Sequence, residues 1–168
     1  RQDGMLGCTS PRNYYSESRK LVMSFDVGTI AIGSDHRARD IVDQLATHLE
    51  SAGWTVHVHY EGDEESVDYP VPAMAVADEV INKVASCGVL VCGSGIGMSM
   101  AANKKQGIRA ALVHEPNAAE MSRRHNNANV LCFAADGPMD TDYIAIIDLW
   151  LGTDFEGGRH QRRIDMMQ

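Results

Sequence analysis

Between residues 29 and 151, short apolar runs alternate with helix-patterned segments, and that alternation restricts the fold more than any other feature of the chain. Residues 29–34 (TIAIGS) and 54–59 (WTVHVH) read as strands, as do 89–92 (VLVC), 109–113 and 129–134. Helical patterning fills the intervals. Residues 37–52 place Ile41, Val42, Leu45 and Leu49 on one face before Gly53 ends the run. Pro70 and Pro72 open a second helix reaching residue 86, and further helices are expected over 98–105, 116–126 and 140–151. Strands separated by single helices pair in parallel through right-handed crossovers. The expected architecture is an α/β three-layer sandwich: a five-stranded parallel Rossmann-like sheet, in strand order 2-1-3-4-5, with helices on both faces.

A sheet of this kind takes ligands at the carboxyl ends of its strands, where the strand order reverses, here between strands one and three. Strand one is followed by Ser34-Asp35-His36, and strand three closes on Cys92-Gly93-Ser94-Gly95-Ile96-Gly97. The residues best equipped for chemistry therefore meet at the crevice that the topology favours. Glycines at 93, 95 and 97 let the backbone turn tightly and aim N–H groups at an anion or a developing oxyanion. Their spacing is not GxGxxG, and no glycine fingerprint follows strand one, which argues against a dinucleotide. Cys92 beside this turn is open to two readings, a thiolate base or nucleophile and a packed core cysteine. His125, at the end of the fourth helix, is either a charge-compensating cap or a catalyst. His114, just past strand four, is a second-rank candidate. His57 and His59 share one strand face, but two imidazoles without a nearby Cys, Asp or Glu make a poor metal site.

Composition narrows the partners. Hydrophobic residues make up 44% and charged residues 23%, enough apolar material for a core. Fifteen Lys+Arg against twenty-three Asp+Glu give a net charge of -8, which disfavours nucleic acid and anionic membranes. No apolar run approaches the roughly 20 residues of a membrane helix. Cys8, Cys87, Cys92 and Cys132 form no CxxC pair and read as reduced thiols, so a soluble cytoplasmic protein is the default. Residues 1–28 are polar and aperiodic and are expected to form a flexible N-terminal extension with Cys8 exposed. Residues 156–163 (EGGRHQRR) put three arginines within five positions, either a solvated tail or a clamp for phosphate oxygens.

Taken together, six segments resemble the type B ribose-5-phosphate isomerase family, which also includes galactose-6-phosphate isomerase subunits. They are GSDH at 33–36, DYP at 68–70, VCGSGIGMSMAANK at 91–104, GIRA at 107–110, RRHNNANVL at 123–131 and WLGTDFEGGRHQRR at 150–163. They run in order through nearly all of residues 29–165. The resemblance implies a sugar-phosphate isomerase domain over residues 29–168 ending in a phosphate-binding tail, with no metal or organic cofactor. By position, it implies that Cys92 takes the proton from carbon two of the opened sugar while Ser94 assists transfer between the neighbouring oxygens. The N–H groups of Gly93, Gly95, Ile96 and Gly97 would hold the enediolate, with Asn126 adding to the oxyanion contacts. His125 would open the furanose ring, and Asp35 would bind sugar hydroxyls. His36, Arg159 and Arg163 would hold the phosphate, and Tyr69 would line the sugar pocket. The resemblance further implies a homodimer whose active sites are shared, the HN pair coming from the neighbouring subunit, with pairing into a tetramer as an extension.

Two departures stand out. Where many members carry an arginine shortly after strand five, this chain has Asp136, which repels phosphate unless it points away. Where HND is common, the chain reads His125-Asn126-Asn127. Three functions follow in order: interconversion of ribose 5-phosphate and ribulose 5-phosphate, the same chemistry on allose or galactose 6-phosphate, and a sugar-phosphate-binding module without turnover.

Overall fold

The computed structural model describes residues 25–60 and 68–167. Five strands alternate with six helices: β1 (Thr29–Ser34), α1 (Arg39–Ser51), β2 (Thr55–His59), α2 (Pro70–Ile81), β3 (Cys87–Cys92) and α3 (Ile96–Ala102), followed by β4 (Ala110–Leu112), α4 (Pro116–Asn126), β5 (Val130–Ala134), α5 (Tyr143–Leu151) and α6 (Arg159–Asp165). All strand pairs are parallel. Successive side chains of a strand point to opposite faces, and the core divides accordingly. Ile30, Ile32, Val89, Val91, Leu131 and Phe133 pack toward α1, α4 and α5. Ala31, Leu90, Cys92, Val130 and Cys132 pack toward α2 and α3. This is the expected three-layer sandwich.

The strand order differs from expectation. It is β2-β1-β3-β5-β4, so β5 and not β4 lies beside β3. Burial explains the exchange. Every residue of β5 (VLCFA) is buried, whereas β4 is three half-buried residues, AAL. An interior parallel strand must be covered on both faces, and a short, weakly apolar strand suits the edge. The switch point is unaffected, because β1 still lies between β2 and β3.

Several boundaries also move. The second helix stops at Ile81, short of residue 86, and β3 begins at Cys87. Helix α3 starts at Ile96 and ends at Ala102, because Gly95 in the left-handed region breaks the chain direction directly before it. The arginine-rich tail is itself a helix, α6. Of the segment expected as an extension, Phe25 packs its ring 5.4 Å from Trp150 and lies 4.3 Å under the Arg123 guanidinium. Residues 1–24, with Cys8, and residues 61–67 lie outside the described residues.

Candidate functional site

The first group of residues forms where β1 and β3 end. The Asp35 backbone N–H donates to Val91 O at 3.4 Å, and its carboxylate accepts from Arg37 N at 3.0 Å. Asp35 is thereby buried at the start of the loop, while His36 is exposed beside it. Cys92 is the last residue of β3 and only 4% exposed. Its carbonyl accepts from Gly95 N at 3.2 Å, so the Gly95 amide closes the turn. Gly95 has φ +71, and a Cβ there would meet Phe133 O at 2.7 Å. Only glycine satisfies both demands. Ser94 is exposed, and its hydroxyl oxygen accepts from Ile96 N at 3.3 Å, which leaves its proton to be donated elsewhere. Tyr69, ahead of α2, lays its ring so close over Gly97 that a Cβ there would be 2.7 Å from the ring carbons. Thus the tyrosine is brought to the turn by the bareness of one glycine.

A cavity of about 530 Å³ opens beside this turn, lined by Gly93, Ser94, Ile96, His114, Asp136 and Gly137 among others. Cys92 lies behind Gly93 and is not part of the lining. Asp136, at the cavity wall, is engaged in an ion pair with Arg37 at 2.7 Å. Its backbone N–H donates to Gly93 O at 2.8 Å, so the pair straps the β1 and β5 loops together across the end of β3. The repulsion anticipated from this aspartate is met by a neighbouring guanidinium.

The second group lies at the opposite end of the strands. Helix α4 begins near the carboxyl ends of the strands and returns to the amino ends, so His125 and Asn126 finish beside the start of β5. Asn127 caps the helix in the left-handed region (φ 46), a conformation asparagine tolerates, and its side chain accepts from Arg123 Nη1 at 2.8 Å. Arg109 donates from Nε to the carbonyls of Asn126 and Asn127 at 3.1 and 3.0 Å, closing the helix end. Partial burial lowers the pKa of this guanidinium. Helix α6 adds Arg159, His160 and Arg163. The rings of His125 and His160 stack with centroids 4.3 Å apart and planes 5° from parallel. Glu156 joins them: Oε2 is 3.7 Å from His125 Nε2 and 3.5 Å from His160 Nε2, while Oε1 accepts from Arg124 Nε at 2.7 Å. The Arg124 hydrogen bond holds the Glu156 carboxyl below its ordinary range.

The register measures the gap between the groups. Gly88 pairs with Val130 and Cys92 with Ala134. His125 precedes β5 altogether, so Cys92 is at least four strand residues, about 13 Å, farther along the sheet. One chain therefore brings together Asp35, His36, Tyr69, Cys92 and Ser94, and separately His125, Asn126, Arg159 and Arg163, but does not join the two sets.

Other candidates resolve simply. The thiols of Cys87 and Cys132 are pushed well above the usual range by burial and pack as apolar groups. His57 and His59 do have a carboxylate nearby, contrary to expectation, since Glu79 reaches them from α2. Its two oxygens go to separate rings, at 2.9 and 3.0 Å, so the three do not converge. His125, Glu156 and His160 come closer to a metal-ligand set, with ligand atoms within 4.8 Å of one another. A metal must lie near the plane of each imidazole it binds, at about 2.0–2.1 Å for zinc. Parallel stacked rings send their lone pairs past each other and do not meet that demand as they stand. Nothing in the sequence singles out Glu156, His160 or Arg109 as site residues, or pairs Asp136 with Arg37. The only sequence signal for Glu156 was its place four residues before His160, immediately ahead of paired glycines.

A doubly wound domain with a thiol and a hydroxyl at its switch point, and arginines with imidazoles toward the amino ends of its strands, defines an anion-handling α/β protein suited to phosphorylated substrates. The family model described as Ribose/Galactose Isomerase matches residues 30–167, and the chain belongs to that family. It is 40% identical over 136 residues to ribose-5-phosphate isomerase B of Escherichia coli, covering 81% of this chain and 91% of the relative. Among solved structures, it is similar to the Thermotoga maritima ribose 5-phosphate isomerase, with TM-score 0.79 and 42% identity over 83% of this chain and 96% of that one. It is also similar to ribose-5-phosphate isomerase B from Mycoplasma genitalium with bound ribulose-5-phosphate, with TM-score 0.78 and 41% identity over 83% and 93%. Among the described residues, no helix is long and apolar enough to cross a membrane.

Proposed function

We propose that the protein interconverts ribose 5-phosphate and ribulose 5-phosphate by cysteine-based proton transfer. The observation that carries the reading is Cys92 beside Ser94 at the switch crevice, in a chain 41% identical to a relative whose structure holds ribulose 5-phosphate. His125 opens the furanose ring by moving a proton between the anomeric hydroxyl and the ring oxygen. The Cys92 thiolate then removes the proton from carbon two, and the electron pair moves onto the carbon-one oxygen to give an enediolate. Ser94 passes the proton of the carbon-two hydroxyl to the carbon-one oxygen. Cys92 returns its proton to carbon one as the carbon-two carbonyl forms, so atoms and charge balance.

Of the turn's main-chain N–H groups, Gly95 and Ile96 are engaged by Cys92 O and Ser94 Oγ, so those of Gly93 and Gly97, with the Asn126 amide, stabilise the negative oxygen. Asp35 and Tyr69 orient the sugar, while His36, Arg159 and Arg163 hold the phosphate, whose binding energy positions the reacting end. These groups lie toward opposite ends of the strands in one chain. The active site is accordingly shared in a homodimer, each pocket taking Cys92 from one subunit and His125 from the other. The same reading makes this a cytoplasmic enzyme that uses neither metal nor organic cofactor.

Turnover of ribose 5-phosphate, with deuterium exchange from solvent, tests the proposal. Cys92→Ala should reduce turnover by about 10²–10⁴-fold. Exchange that survives the substitution would overturn the assignment of the base. Faster turnover of allose or galactose 6-phosphate than of ribose 5-phosphate would instead overturn the substrate.

A further inference from the structure

We infer that Glu156 is a positioning residue for His125: its carboxylate, anchored on Arg124, holds the imidazole at the seam of α4 and α6 in the orientation that ring opening needs. The inference rests on the reading above, in which His125 opens the furanose ring. Glu156 is fixed twice to the residue next to His125. Its backbone N–H donates to Arg124 O at 3.0 Å, and Oε1 accepts from Arg124 Nε at 2.7 Å, with Nη2 in still closer contact. The other oxygen, Oε2, then faces both imidazoles.

The two rings are not equivalent. His160 Nε2 accepts a hydrogen bond from Arg159 Nε at 3.4 Å, so that nitrogen carries no proton. Burial above all, with the neighbouring basic groups outweighing the opposing pull of Glu156, lowers the His160 pKa and favours its neutral form. His125 is thus the ring that can present an N–H to Oε2. The neutral His160 ring, parallel to it at 4.3 Å, blocks rotation on one side. Glu156 and His160 together confine an imidazole that is otherwise a half-exposed group at a helix end. A carboxylate or carbonyl that orients one imidazole nitrogen defines what the other can do.

Glu156→Gln keeps the shape and the Arg124 contact while removing the charge. The test exploits a difference between the two substrates. Ribose 5-phosphate enters as a furanose and must be opened. Ribulose 5-phosphate has its five-hydroxyl esterified and cannot close a furanose ring, so deuterium exchange at its carbon one needs Cys92 but no ring opening. For Glu156→Gln, turnover of ribose 5-phosphate should fall at least tenfold, and by no more than the roughly 10²–10⁴-fold that the general acid–base group itself supplies, while exchange stays within about twofold of wild type. A parallel fall of turnover and exchange, or no fall in turnover, would overturn the inference. Melting temperature and gel filtration establish that the variant is folded. If it is not, Glu156→Asp, whose charge is kept but withdrawn by one methylene, should show the same split at smaller size, and equal losses there would overturn it. A wild-type protein that neither turns over nor exchanges would sink the isomerase reading itself, and this inference with it.

Discussion

Cys92→Ala and His125→Ala should complement each other when the two inactive proteins exchange subunits. The expectation follows from the sheet register, which separates the two residues by about 13 Å or more along the strands. In a two-fold dimer with shared pockets, each site takes Cys92 from one subunit and His125 from the other. A mixed dimer of the two variants therefore has one site with both residues lost and one with both intact. Random exchange of equal amounts makes half of all dimers mixed, and one of their two sites works, so about a quarter of wild-type activity should return. The assay is ribose 5-phosphate turnover before and after mild dissociation and reassociation, with each variant alone treated in parallel. Activity that stays at the level of the single variants would refute the reasoning, because it would mean that no pocket draws these residues from different chains.

Further consequences are accessible to routine measurements. Arg159→Ala should mainly raise the apparent KM for ribose 5-phosphate, and an unchanged KM in steady-state kinetics would remove Arg159 from the phosphate site. Gly95→Ala places a side chain in the left-handed region and against Phe133 O, which should cost about 2–4 kcal/mol by strain and overpacking; urea unfolding with a loss under about 1 kcal/mol would contradict the geometry. The Glu156 carboxyl is depressed by Arg124, so its contribution to stability is full above the unfolded carboxyl pKa of about 4.3 and fades as pH falls through the lower folded value. Arg124→Gln should accordingly flatten the acid side of a melting-temperature profile between pH 2 and pH 6, and an unaltered profile would show that the pair is not formed in solution.

Much of this was readable from residue order. Periodicity located all five strands, and the pairing of Asp35-His36 with Cys92-Gly93-Ser94 at one crevice follows from parallel topology alone. The position of β5 was not readable in the same way, because chain order suggests β4 as the next neighbour, and only comparing burial along VLCFA and AAL separates interior from edge. Arg37 and Asp136 are far apart in sequence, and nothing local announces that one neutralises the other. Glu79 is hidden in the sequence for a related reason: a helix brings it beside β2 from another layer. Long-range polar pairing has no period to detect, whereas helix and strand amphipathicity does.

The insertion of β5 between β3 and β4 imposes an order on assembly. As the polypeptide leaves the ribosome, β3 keeps one margin bare until residues 130–134 emerge, and β4, whose neighbour in the sheet is β5, takes its place in the sheet only then. The last strand made is the one that locks the sheet, so truncations ending before residue 130 leave an unfinished, adhesive intermediate rather than a smaller working protein.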